Sequence, residues 1–292
     1  MTSAIAWING EWGHPSELKL PLSDRGLQLA DGVFETVLIR SGQPQLLEAH
    51  HARWRAGAHI LGMAPPPSLE QLGPLLHEAI KRIGLDTHTA QTERNVSSSK
   101  RHGALRLNWS RDGMAARGIQ LPAGEPDPKQ HRFWLSLSHH TPHFRSASTW
   151  ISRHERRNAS SRLSHCKTFA YGQAIQARRE AIENGADEGL LLSTTGELCC
   201  ATTANLLVRH QDQWLTPPLS SGCLPGVMRQ QLLVRGLAHE QSINPNPDHG
   251  DAWLLINSLD CRAVSAVDGQ RLTPAIEAKQ LWMSLLDTDT AP

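Results

Sequence analysis

The stretch LSHCKTFAY, residues 163–171, sets a lysine among mostly small and apolar neighbours. Lys167 is the only lysine between Lys129 and Lys279, and the other basic residues of that span are all Arg or His. Two readings compete for it. One is a surface cation with a solvated head. The other is a partly dry amine able to condense with a carbonyl group. A helix predicted over about residues 169–184 and stopping at Gly185 places this lysine at an element boundary.

Downstream, EGLLLST, ELCCATTANLLV and QWLTP predict three successive strands, with turns at TTG and RHQDQ. VMRQQLLVRGLAH predicts a helix and AWLLINS a buried strand. Upstream, AWINGEW followed by ELKLPLSD predicts a hairpin turning at Asn9 and Gly10. VFETVLIRSGQPQLL predicts two strands joined at Ser41 and Gly42. An amphipathic helix follows, with Leu47, His50, Trp54, Ala58 and Leu61 on one stripe. SLEQLGPLLHEAIKRIGL predicts another, with Ser68 and Gln71 in capping-box positions and a stop near Gly84. The polar, Ser/Thr-rich run DTHTAQTERNVSSSKRHG predicts an exposed, mobile loop. GALRLNWS and RFWLSLS resume as strands. LPAGEPDPKQ, with three prolines, is the best linker, so a boundary is expected near residue 125: an N-terminal domain over 1–122, a linker over 123–130 and a C-terminal domain over 131–292. The mixed order favours an α+β fold with antiparallel sheet over a doubly wound parallel one.

The 292 residues suit two domains, and a net charge of +1 gives no case for bulk attraction to nucleic acid or membrane. No apolar run approaches a bilayer-crossing length, and MTSAIAWINGEW lacks a secretory signal pattern, so a cytoplasmic protein is expected. Five cysteines without CxxC spacing fit free thiols in a reducing compartment. His139, His140 and His143 cluster, but no fourth ligand or zinc spacing accompanies them, so no metal site is expected.

Three segments, in order, carry a resemblance: LSDRGLQLADGVFETVLIRSGQPQLLEAHHARW, then CKTFAYGQAIQARREAIENGADEGLLLSTTGELCCATTANLLV, then WLTPPLSSGCLPGVMRQ with AWLLINSLDCRAV. Together they resemble the class IV aminotransferases, the fold-type IV enzymes that use pyridoxal 5'-phosphate, over roughly residues 4–265. Within that family the local wording is closest to the 4-amino-4-deoxychorismate lyases. The resemblance implies a two-domain enzyme, with a smaller N-terminal α/β domain, a larger C-terminal one built on a mixed, barrel-like sheet, and a homodimeric assembly.

The resemblance also implies site residues. Lys167 matches the lysine that holds the cofactor through its side-chain amine, which must be accessible in its neutral form; burial and nearby positive charge favour that form. Arg53 in HHAR matches a phosphate-contacting arginine, whose fork suits a dianion. Gly226, Val227 and Met228 match a phosphate-binding turn at a helix start; GVMR is close to the GIMR-like wording of the lyases. Tyr171, four residues past Lys167 and so one helical turn away, is placed to reach the cofactor's ring oxygen. Thr36 in VFET matches a threonine with a proton-transfer role. Asn205 and Asn257 fall near the site, Asn257 toward substrate. Arg106, Arg111 and Arg117 are candidate receptors for the carboxylates of an anionic amino substrate.

One position departs from the pattern. Five residues before Asn205 the family usually carries a glutamate that pairs with the ring nitrogen, and here stands Cys200. Glu197 is not expected to substitute, because an odd separation on a strand points the two side chains to opposite faces and nothing signals a bulge. The expected activity is a lyase converting 4-amino-4-deoxychorismate to 4-aminobenzoate and pyruvate. The alternatives are a D-amino-acid or branched-chain aminotransferase and a catalytically weak relative that only binds cofactor.

Overall fold

A computed structural model describes residues 3–86, 102–112, 118–121, 123–248 and 250–287. The run THTAQTERNVSSSKR, residues 87–101, and Arg117 therefore lie outside the described residues. The chain divides into two compact units. The first is Met1–Thr141 with Cys166–Phe169, and the second is Pro142–His165 with Ala170–Pro292.

The N-terminal unit contains β1 (Ala4–Ile8), β2 (Glu11–Gly13), α1 (Arg25–Leu29), β3 (Gly32–Arg40), β4 (Gln43–Pro44), α2 (Leu47–Ile60), α3 (Leu69–Arg82), β5 (His102–Arg111) and β6 (His131–His139). Its strands form one antiparallel sheet in the order β2-β1-β6-β5-β3-β4. The two predicted tight turns are present. Asn9 and Gly10 have φ of 51° and 90°, and Ser41 and Gly42 have 50° and 76°, the left-handed pair that two-residue hairpin loops need. Strand alternation then divides the sheet. Val33, Val37 and Ile39 of β3, with Leu105, Leu107 and Trp109 of β5, pack with Trp54 and Ala58 of α2 and Leu72 and Leu76 of α3 in one buried core. Phe34, Thr36, Arg106, Asn108 and Trp134 take the opposite face.

Two expectations fail in this unit. β2 ends at Gly13, so ELKLPLSD is not a strand; Pro15 precedes it and Pro21 lies within it, and neither can donate to a ladder. The boundary is also displaced. β6 lies within the expected C-terminal domain, yet it pairs with β1 and β5 along its length, so the unit runs to Thr141 and the two units are of similar length. Long-range pairing overrides the local proline signal.

The C-terminal unit contains β7 (Ala147–Arg157), α4 (Gly172–Glu183), β8 (Glu188–Ser193), β9 (Leu198–Ala201), β10 (Asn205–His210), β11 (Gln213–Thr216), α5 (Val227–Val234), β12 (His239–Glu240), β13 (Ala252–Ile256), β14 (Cys261–Val267), β15 (Gln270–Arg271) and α6 (Ala278–Leu286). The path β10-β13-β14-β7-β8-β9 returns to β10, closing a barrel-like ring. β7 runs parallel to β8 and to β14, and the remaining pairs of the ring are antiparallel. Leu190, Leu206, Val208, Trp253, Leu255 and Val264 form its apolar core. ELCCATTANLLV, expected as one strand, folds back on itself between β9 and β10 and sets Cys200 opposite Asn205.

The capping box of α3 is formed as the sequence predicts. Ser68 Oγ accepts from Gln71 N at 3.2 Å and Gln71 Oε1 accepts from Ser68 N at 2.8 Å. Ser68→Ala should cost about 1 kcal/mol, read as a lower denaturant midpoint with an unchanged slope; an unchanged midpoint would contradict it.

Candidate active site

Residues 166–169 are a short extended strap docked on β3. Val33 and Thr168 form an antiparallel bridge. Phe34 N donates to Lys167 O at 2.9 Å and Phe169 N to Gly32 O at 3.1 Å. Because neighbours on an extended chain alternate, Lys167 and Phe169 both turn toward the Phe34 side of the sheet. Lys167 Nζ lies 4.5 Å from the centre of the Phe34 ring, and the Arg106 guanidinium lies 3.5 Å from it, distances at which a cation is attracted to the ring. Arg106 Nε also donates to Asn108 Oδ1 at 2.7 Å. Thr36 is the cross-strand partner of Arg106, so its hydroxyl shares this face. Phe169 fits because Gly32 has no side chain: a Cβ there would lie 2.4 Å from the Phe169 ring.

Beneath this face, on the helix side of β3, Glu35 is fully buried. It accepts from Arg53 Nε at 2.8 Å and Nη2 at 2.6 Å, and pairs with His50 Nδ1 at 2.7 Å. Burial pushes the Glu35 carboxyl up, but the Arg53 and His50 contacts outweigh it and hold the group at about 2. Burial pushes His50 down, with the Arg53 and Lys167 charges adding to that and the Glu35 bond opposing it. The sequence reading missed this trio. Its available signal was a glutamate in an otherwise apolar strand and a His/Arg pair three residues apart on a helix. Arg53, expected to meet a phosphate, already gives two of its donors to a carboxylate.

Arg111, offered as a carboxylate receptor, faces the other way. It is buried, its Nε donates to Asp31 Oδ2 at 3.0 Å, and its Nη atoms donate to Leu61 O at 3.0 Å and Gly62 O at 3.2 Å. It closes the C-terminal end of α2. Of the three arginines, Arg106 alone shares the Lys167 face among the described residues.

In the C-terminal unit α5 begins at Val227, and its N-cap, Gly226, supplies no side-chain cap. Asn205 Nδ2 donates to Leu224 O at 2.9 Å, fixing the approach to the helix. A Cβ on Gly226 would sit 1.8 Å from Asn205 Oδ1, so this turn needs glycine. The first-turn N–H groups, those of Val227 and Met228 among them, have no intrahelical partner, a suitable seat for an anion. Tyr171 is not one helical turn from Lys167: α4 begins at Gly172, and Lys167 lies on the extended strap. Asn257 uses its side chain on a turn, Oδ1 accepting from Leu259 N at 2.8 Å and Asp260 N at 2.9 Å.

Cys200 is buried with Cys199 and Cys223, beside Leu191 and Ala177. The neighbouring Cys200 and Cys223 thiols, together with burial, push the Cys199 thiol up. A bulge is present after all: Leu191 opposes Cys200 while Leu192 opposes Leu198, leaving Cys199 as the extra residue. Glu197 still does not replace Cys200, because Thr195 Oγ1 holds its carboxylate at 2.8 Å in the preceding turn. All five cysteines are free thiols. A trio of ligand-capable side chains, His210, Asp248 and Asp251, lies within 4.8 Å; no histidine spacing announced it. Among the described residues no helix is long and apolar enough to cross a membrane.

The family model for amino-transferase class IV matches residues 32–267. The chain belongs to the class IV aminotransferases. These are pyridoxal-phosphate enzymes, and the donors of each unit fit that cofactor: an amine on one, an uncapped helix start with a side-chain-free turn on the other. The chain is 24% identical to the bifunctional aminodeoxychorismate lyase / D-amino acid transaminase of Mycobacterium tuberculosis, over 97% of each chain. It is 22% identical to the D-alanine aminotransferase of Bacillus licheniformis, over 91% of this chain and 89% of that one. Its fold matches a hypothetical aminotransferase from Mycobacterium tuberculosis in its PLP-bound form with a TM-score of 0.77 at 20% identity, over 98% of this chain and 99% of that one.

The Glu35 trio makes a pH prediction. Its folded value of about 2 lies below the ordinary 4.5, so its stabilisation is full above pH 4.5 and drains away as pH falls from there toward 2. Glu35→Gln should cost about 3 kcal/mol at neutral pH by stranding Arg53. Denaturation curves taken across that window should converge for wild type and variant as the acid is reached. Parallel curves would contradict the assignment.

Proposed function

We propose that this chain is a pyridoxal-phosphate-dependent lyase that splits 4-amino-4-deoxychorismate into 4-aminobenzoate and pyruvate. The observation that supports it best is the gathering of an amine, a hydroxyl and a guanidinium on one sheet face, from Lys167, Thr36 and Arg106 around Phe34. Elimination of pyruvate needs a base to remove a proton and an acid to return one. Lys167 would take the proton from the amine-bearing carbon. Thr36, or the lysine itself, returns one to the departing enol. Arg106 receives a substrate carboxylate in its fork, and Phe34 holds that guanidinium flat.

The cofactor, when bound, supplies the electron sink that makes the carbon acidic. Arg53 and the N–H groups of Val227 and Met228 would hold its phosphate, Tyr171 its ring oxygen, and Asn205 the Gly226 turn. Cys200 would face the ring nitrogen, where a thiol is a weaker acceptor than a carboxylate. That weak partner favours elimination over transamination, because forming an aromatic product supplies driving force of its own. Transamination of D-amino acids is the second reading, carried by the activities named for the two relatives.

The cofactor-loaded full chain is given aminodeoxychorismate with no keto acid. The account predicts equal release of pyruvate and 4-aminobenzoate, falling about a thousandfold or more in Lys167→Ala. Turnover that appears only when a keto-acid acceptor is added would replace the lyase reading with the transaminase one.

A further inference from the structure

The C-terminal unit contains a cleft of about 680 Å³ whose walls include Arg145, Arg178, Arg262, Asp187, Glu188 and Asp260. Its volume lies in the range that accommodates small molecules. Of the three guanidinium groups and three carboxylates, one pair is a direct ion pair, Arg178 with Glu188. Glu188 is buried, pairs with Arg178, and accepts from Thr202 Oγ1 and from Gly189 N at 3.0 Å. Asp187 accepts from Ser148 N and Ser148 Oγ, both at 2.9 Å, which holds its carboxyl below the usual range; the Arg262 and Arg178 charges reinforce this. Asp260 accepts from His143 N at 2.6 Å. Each carboxylate is thus bound into the frame of the barrel mouth.

Two of the cations have no such engagement. Among the described residues the Arg145 guanidinium makes no hydrogen bond or ion pair, and Arg262 places only its Nε, on the Arg145 carbonyl at 3.4 Å. Their placement is set by the sheet. Val264 of β14 opposes Ala147 of β7, so Arg262 and Arg145 lie two residues back along the same two chains. Arg262 directly opposes Leu255 of β13, and Leu255 belongs to the barrel's apolar core. The two forks therefore stand where that core opens, over a cleft with one apolar wall.

We propose that this cleft binds a small oxyanion-bearing molecule, a carboxylate or a phosphate, through Arg145 and Arg262. Two planar forks beside each other suit the paired oxygens of either group. The proposal goes beyond the lyase reading: Asn257, expected toward substrate, also lines this cleft, but neither Arg145 nor Arg262 has a part in that reading.

Calorimetric titration with pyruvate and with inorganic phosphate, on full-length wild type and on Lys167→Ala, tests it. In both proteins, loaded with cofactor, a saturable site is expected that depends on Arg145 and Arg262. Arg145→Gln and Arg262→Gln should each weaken it by about tenfold or more, the loss expected for one charge-assisted contact. Arg145 is exposed, so its variant should melt as wild type does. Tighter pyruvate binding identifies the ligand as a carboxylate, and tighter phosphate binding identifies it as a phosphate. Absence of saturable binding of both ions, or affinities unmoved by both substitutions, would overturn the site.

Discussion

Two backbone hydrogen bonds between β3 and the strap at residues 166–169 fix the position of Lys167 on the N-terminal sheet. Phe34 N to Lys167 O and Phe169 N to Gly32 O splice a distant piece of sequence onto the N-terminal sheet. Lys167 thereby belongs to the N-terminal unit although the chain on both sides of it belongs to the other. Without that splice the lysine is an ordinary cation on a connecting segment. With it, the amine lies over the Phe34 ring beside Arg106. Gly32 permits it, since any side chain there would strike Phe169.

The same strand organises both sides of the sheet. Alternation sends Phe34 and Thr36 toward the lysine and Glu35 toward α2. A carboxylate in that core is tolerable only because Arg53 and His50 meet it. A buried ion pair of this kind is weak evidence of net stability, but breaking one is costly. The trio therefore locks the rotamer of Arg53 and the seating of α2 on β3.

Local features were legible in the sequence; long-range ones were not. The Asn9-Gly10 and Ser41-Gly42 turns and the Ser68/Gln71 box depend on neighbours three residues apart or fewer, and each formed as read. The family, the fold class and the cofactor followed from three ordered segments and held. The domain boundary failed because three prolines mark a break in local structure, whereas β6 is claimed by pairing with β1 and β5. A helix begun near residue 169 would set Tyr171 one turn from Lys167, but the helix begins at Gly172. Arg111 looked like a free cation, but Asp31 and the end of α2, far away in sequence, take up its donors. β7, ending in SRHERR, was not predicted at all, since charges obscure its alternation.

Reduction with borohydride of the chain loaded with pyridoxal phosphate, followed by digestion and mass spectrometry, tests the splice and its chemistry together. The strap geometry predicts a phosphopyridoxyl group on the peptide containing Lys167, and no other lysine labelled in proportion. An unmodified Lys167, or label spread across Lys129 and Lys279 to the same extent, would contradict the account.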